Sequence, residues 1–151
     1  MGIETVPYII KHSGMLHRDE IWWRMIQANL TVIEFRIRKI PPLAHILLYP
    51  QNERGSMPED AWLHRMQIAT RGLSEVGMLR GENAIERLLD LVGRSADPAK
   101  CGLGTIRRDF GESGALRFGD FLFHMRVMHR PVDKAEAQHD LPIVQQLLRH
   151  P

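Results

Sequence analysis

The run Gly104-Thr105-Ile106-Arg107-Arg108-Asp109-Phe110 places arginine in a glycine-opened loop, and His129 follows nineteen residues after Phe110, at the end of an apolar stretch. Guanidinium is a planar, permanently charged fork that matches phosphate oxygens. Imidazole is a nucleophile near neutral pH when one ring nitrogen is unprotonated and the other is held by an acceptor. Together they suit phosphoryl transfer: His129 as the group that takes the phosphoryl, and Arg107 as the cation that steadies its oxygens. Competing patterns are weaker. His17-Arg18-Asp19 copies a protein-kinase triplet without the glycine-rich loop that would give it meaning. His124, His129 and Cys101 lack zinc-ligand spacing. Trp22-Trp23 on a helix suits core or interface better than a platform for bases.

These residues need elements to bring them together. Residues 5–11 carry Val6, Tyr8, Ile9 and Ile10 and read as a buried strand ending at Lys11. Helical spacing of Ile21, Trp22, Met25 and Ile26 predicts a helix over 17–28. Residues 30–40 alternate Val32, Phe35 and Ile37 with Glu34, Arg36 and Arg38, as a half-exposed strand does, and Pro41-Pro42 ends it. A short helix is expected over 44–49, a polar loop over 51–58, and a helix from Pro58 to about Thr70 with Glu59 and Asp60 in its first turn. A strand over 75–79 and a helix over 83–92 follow. Residues 94–119 read as a long glycine-rich irregular segment, 121–128 as a buried strand, and 133–148 as a closing helix. Two early strands around a helix, then further alternation, predict an α/β (α+β) sandwich of the split βαβ type.

Composition sets the limits. The 151 residues suit one domain over 1–151, without repeats or low-complexity segments. With 44% hydrophobic and 25% charged residues, neither disorder nor a membrane protein is indicated. The net charge of +2 leans mildly towards anionic ligands. A single cysteine, Cys101, excludes an internal disulfide framework and fits a reducing cytoplasm. No transmembrane-length apolar run or signal-peptide pattern is present, so the expected setting is cytoplasmic.

The 104–110 run resembles the Gly-Thr-(Ile/Leu)-Arg-(Gly)-Asp-Phe signature of nucleoside diphosphate kinases, with Arg108 at the usual second glycine. Gly81-Glu82-Asn83-Ala84, Gly93 and Asp97-Pro98-Ala99 are similar to the family's helix start and its Asn-Pro-Ala turn. Tyr8-Ile9-Ile10-Lys11 resembles its first strand, and Asn29 stands at a helix-ending glycine, where Asn is the best substitute for a left-handed cap. The resemblance implies a ferredoxin-like βαββαβ sandwich and a phosphohistidine mechanism. In it His129 takes the γ-phosphate of a nucleoside triphosphate and passes it to a diphosphate acceptor, and Asp140 stands for the glutamate that orients the histidine. It implies phosphate contacts from Lys11, Arg107, Thr105 and Ser95, a pocket tyrosine at Tyr49 and base stacking on Trp62. Mg²⁺ would bridge nucleotide phosphates without a protein metal cluster, and the chain would form homo-oligomers.

The departures are equally specific. His12-Ser13 replaces Pro-Asp after the lysine, Arg130-Pro131 replaces Gly-Ser after the histidine, and Leu89 stands where a helix arginine contacts phosphate. Arg126 replaces Asn three residues before His129; it either adds a phosphate contact or fills the ribose site and lowers the histidine's basicity. Two alternatives to an active phosphotransferase follow: a nucleotide-binding scaffold of the same fold, and a nucleic-acid binder using the 126–130 basic cluster.

Overall fold

The computed structural model describes residues 2–49 and 57–151. The polar loop expected over 51–58 therefore lies, up to residue 56, outside the described residues.

Strand β1 (Ile3–Ile10) leads through a 3-10 turn (His12–His17) into helix α1 (Arg18–Gln27), and β2 (Thr31–Lys39) follows. Helices α2 (Pro42–Leu48) and α3 (Glu59–Thr70) precede β3 (Leu73–Glu82) and α4 (Ala84–Val92). A short helix α5 (Ile106–Phe110), a hairpin of β4 (Glu112–Phe118) and β5 (Phe121–Met125), the two-residue β6 (Met128–His129) and α6 (Lys134–Arg149) complete the chain. The main sheet has the order β2-β3-β1-β6, antiparallel throughout. This is the βαββαβ sandwich expected from the alternation of elements.

The two-residue period of β1 divides the core. Val6, Tyr8 and Ile10 pack with Ile21, Met25, Leu88 and Val92 of α1 and α4 on one face. Ile9, Val76 and Met78 pack with Trp62, Met66, Val144 and Leu147 of α3 and α6 on the other. Ile9 pairs with His129 and Ile10 with Met128. Antiparallel partners share a face, so His129 looks towards α6 and α2 while Met128 enters the first core.

Tyr8 crosses above Gly77, whose missing side chain makes the space: a Cβ there would lie 2.5 Å from the phenol ring. The hydroxyl donates to the fully buried Glu75 at 2.6 Å, which also accepts from Trp22 Nε1 at 2.8 Å and from Arg18. Burial and this carboxylate raise the Tyr8 pKa far above the ordinary phenol range. Trp22 thus serves the interior with a polar handle, and Asn29 adopts the left-handed conformation (φ 60°) expected of a helix-ending residue.

Two expectations are corrected. Residues 94–119 are not wholly irregular, since they contain α5 and β4. The strand expected over 121–128 is two strands in different sheets: β5 pairs with β4, and β6 pairs with β1. The break is Val127 at φ +59°, a conformation that costs a β-branched residue energy. His124 therefore lies in the hairpin, apart from the strand that carries His129, and its Nδ1 accepts from the Gly114 amide at 3.0 Å.

Candidate active site

The site is built around the Val127 turn. The Met128 amide donates back to the Arg126 carbonyl at 2.6 Å, closing a tight turn, while the Val127 carbonyl accepts from the Lys11 amide at 2.8 Å. This tie fixes the end of β1 against the start of β6. It is possible because Gly14 has no side chain: a Cβ there would collide with the Val127 carbonyl and meet its Cβ at 3.1 Å. A strained residue held by its surroundings beside a candidate nucleophile is the pattern of a functional site. Nothing in hydrophobic patterning marks Gly14 or Val127; the only sequence signal is a glycine just after a strand's terminal lysine.

His129 is 4% exposed. Its Nε2 lies 2.8 Å from Asp140 Oδ2 on α6, and its Nδ1 lies 2.7 Å from the Tyr49 hydroxyl at the end of α2. A carboxylate only accepts, so Nε2 carries the proton and Nδ1 presents a lone pair to which Tyr49 donates. Burial holds the imidazole below its usual pKa; Asp140 opposes that shift, while Lys11 and Arg107 reinforce it. The ring is therefore neutral at pH 7. Asp140 is wholly buried and also accepts from His139 Nδ1 at 2.9 Å. Asp133 caps α6 by accepting from the Glu136 amide at 2.8 Å, fixing the helix that delivers Asp140.

The arginines are used differently from one another. Arg107 is 3% exposed and donates from Nη1 to the Ser95 carbonyl and from Nη2 to the Met128 carbonyl, both at 2.9 Å. Among the described residues its Nε has no hydrogen-bond partner, and burial, with Arg130 nearby, lowers its pKa to about 10. Arg130 donates to the Gly93 carbonyl from Nε at 3.1 Å and from Nη2 at 2.7 Å. It thereby sets a cation at the C-terminal end of α4, where the helix dipole favours one. A buried Arg130 does not present the basic surface patch that a nucleic-acid binder would need. The loop itself is held by Arg24 of α1, which donates to the Gly104 carbonyl at 3.0 Å and to Asp109 Oδ2 at 2.7 Å.

The remaining sequence-derived residues divide. Lys11 stands 4.8 Å over the Tyr49 ring, and Arg126 lines the same pocket as Lys11, so both lie beside the His129 pair. Thr105 is the cap of α5: its hydroxyl donates to the Gly102 carbonyl at 2.7 Å and accepts from the Arg108 amide at 3.3 Å. Ser95 Oγ accepts from the Asp97 amide at 3.0 Å, and its backbone carbonyl anchors Arg107. Trp62 is 6% exposed, packed in the second core with Arg65 5.3 Å over its ring, rather than displayed for stacking. Leu89 is core. The structure thus brings His129, Asp140, Tyr49, Lys11, Arg107 and Arg126 together, while Thr105 and Ser95 hold turns.

The described residues offer one set of potential metal ligands, His129, Glu136 and Asp140, with ligand atoms within 4.8 Å of one another. The His129–Asp140 hydrogen bond already occupies that group. No described helix is long and apolar enough to cross a membrane.

Comparison with known proteins gives the same direction. No family model matches the chain. Nucleoside diphosphate kinase of Bordetella pertussis is 31% identical over 115 residues, covering 75% of this chain and 78% of that protein. The enzyme of the same name from Nitrosomonas europaea is 30% identical with the same coverage. Among solved structures, a transition-state mimic of the Borrelia burgdorferi nucleoside diphosphate kinase, with vanadate and ADP bound, superposes with a TM-score of 0.75 at 17% identity, covering 93% of this chain and 86% of that one. The Pyrobaculum aerophilum enzyme gives 0.72 at 20% identity, covering 94% and 95%. The fold is shared with these structures, and on the identity to its curated relatives this chain belongs to the nucleoside diphosphate kinase family.

Proposed function

We propose that the protein is a phosphotransferase in which His129 Nδ1 accepts the terminal phosphoryl group of a nucleoside triphosphate and passes it to a diphosphate acceptor. The observation that carries this reading is the His129 ring, held neutral between an acceptor on Nε2 and a hydroxyl on Nδ1. In the first half-reaction the Nδ1 lone pair forms a P–N bond as the P–O bond to the leaving diphosphate breaks. The second half-reaction reverses this: the P–N bond breaks, a P–O bond forms with the acceptor, and the electron pair returns to Nδ1. Asp140 steadies the positive charge the ring gains while phosphorylated. Tyr49 stands where phosphorus must arrive, so its hydroxyl turns from Nδ1 to an incoming phosphate oxygen. Lys11 and Arg107 supply positive charge beside the transferring group.

Magnesium accompanying the nucleotide would neutralise phosphate charge. The described pocket beside Tyr49 and His129 is lined by cations and histidines rather than carboxylates, so the ion is carried on the nucleotide's own oxygens. The cytoplasm is the setting in which these nucleotides and a reduced Cys101 coexist. A second copy of the chain is the expected partner: β2 is an edge strand that exposes Ile33, Phe35 and Ile37, and α1 exposes Trp23 and Ile26. Incubation with γ-labelled nucleoside triphosphate should give a phosphoenzyme that is discharged by a diphosphate. A protein that takes no label from any nucleoside triphosphate would refute the reading.

A further inference from the structure

A pocket opens beside Tyr49, between the turn after β1, helix α3 and the β4–β5 hairpin. Lys11, Arg65, Arg71 and Arg126 line it, and no aspartate or glutamate does among the described residues. Its floor is apolar, with Ile68, Leu116 and Phe123. Of the four buried side-chain polar atoms without a hydrogen-bond partner among the described residues, three belong to residues lining this pocket: Arg126 Nε, His12 Nδ1 and His45 Nε2. Each such atom is left with an uncompensated desolvation cost unless something meets it. Burial depresses the basicity of His45 and His12, and nearby cations add to it: Lys11, Arg65 and Arg126 at His45, and Arg71 and Lys11 at His12.

The cations that line the pocket come from separate elements. Lys11 lies 4.8 Å and Arg65 6.0 Å over the Tyr49 ring, at the His129 end, whereas Arg71 caps the C-terminus of α3. Arg126 lines the same pocket, three residues before the nucleophile. The unpartnered atoms of Arg126, His12 and His45, beside the Arg71 guanidinium and an apolar floor, are met together by a ligand with a flat body and an anionic group besides its diphosphate.

We infer that this pocket is a second anion subsite, and that the acceptor discharging phospho-His129 carries a further phosphate or carboxylate on its nucleoside part, besides its diphosphate. This rests on the phosphotransfer reading above. Transfer itself is unchanged: the P–N bond at Nδ1 breaks, a P–O bond forms on the acceptor's terminal phosphate, and the extra anion only binds. Arg126 and Arg71 become specificity-determining residues.

Equilibrium titration of the full-length protein with two matched pairs tests this without requiring turnover. ADP is compared with adenosine 3′-phosphate 5′-diphosphate, and uridine 5′-diphosphate with orotidine 5′-diphosphate, so that the pairs separate phosphate from carboxylate. At least one anionic member should bind about tenfold or more tightly than its parent, the gain expected of one charge-assisted contact. Arg71→Gln and Arg126→Gln should each bring that ratio towards one, with melting temperature checked for both. Anionic members that bind no better than their parents would overturn the inference, as would a preference that both variants retain. Labelling from γ-labelled triphosphate is scored separately; its failure would strike the phosphotransfer reading and leave the binding ratios to be judged on their own.

Discussion

Replacing Asp140 with asparagine isolates the carboxylate's charge from its shape. The side chain is wholly buried, accepts from His129 Nε2 at 2.8 Å and from His139 Nδ1 at 2.9 Å, and touches no part of the pocket lining. An amide oxygen can still accept from Nε2, and half-exposed His139 can turn to solvent, so the ring keeps its place. The variant loses the negative charge that balances the ring as phosphorus arrives. A buried charge-assisted hydrogen bond contributes roughly 1.5–3 kcal/mol. At about 1.4 kcal/mol per decade of rate, Asp140→Asn should slow phosphoenzyme formation about 10–150-fold. Rapid-quench single turnovers over a range of triphosphate concentrations measure the step directly. The limiting rate should fall while the nucleotide concentration giving half that rate stays within about twofold. A wild-type limiting rate, or a defect confined to nucleotide affinity, would refute the assigned role.

Other perturbations read other parts of the site. Gly14→Ala drives a methyl against the Val127 carbonyl; it should cost about 1–3 kcal/mol in denaturant unfolding and, by shifting His129, slow transfer on the order of 10²-fold, and a neutral result would show that the turn does not position the nucleophile. Arg107→Lys keeps charge but cannot bridge the Ser95 and Met128 carbonyls; it should lose about 2 kcal/mol or more of stability along with activity, and full stability would discredit the bridging role. Burial lowers the His45 pKa from 6.5 to about 3, so the folded state resists a proton that the unfolded state accepts. Its contribution is intact above pH 6.5 and is lost as pH falls towards 3, about 2 kcal/mol by pH 5. His129 adds a loss of the same sign. Unfolding free energies that match at pH 7 and pH 5 would contradict this.

What the sequence revealed and what it hid follow from the range of the forces involved. Local signals were readable: the Asn29 cap, the α4 stripe of Ile85, Leu88, Leu89 and Val92, and the arginine loop followed by a histidine. The strand expected over 121–128 failed because nothing local announces a valine at positive φ; that conformation is imposed by Lys11 from one side and permitted by Gly14 from the other. The hairpin was missed, although Gly119-Asp120 between apolar runs is a local turn signal, with Phe118 pairing Phe121 across it. Residue type suggested Arg107 and Thr105 as ligand contacts, but only tertiary geometry reveals that their donors meet backbone carbonyls. The concentration of cations beside Tyr49 draws on the turn after β1, α3 and β5, segments far apart in sequence, so no linear motif contains it.

The central claim is that one nitrogen of one histidine carries the phosphoryl group. Labelling with γ-labelled nucleoside triphosphate, followed by peptide mapping under alkaline conditions, tests it most directly. The account predicts acid-labile label on the peptide containing His129, at Nδ1, transferred in full to an added diphosphate and abolished by His129→Ala. Equal labelling of the wild type and His129→Ala, or label residing on another residue, would contradict it.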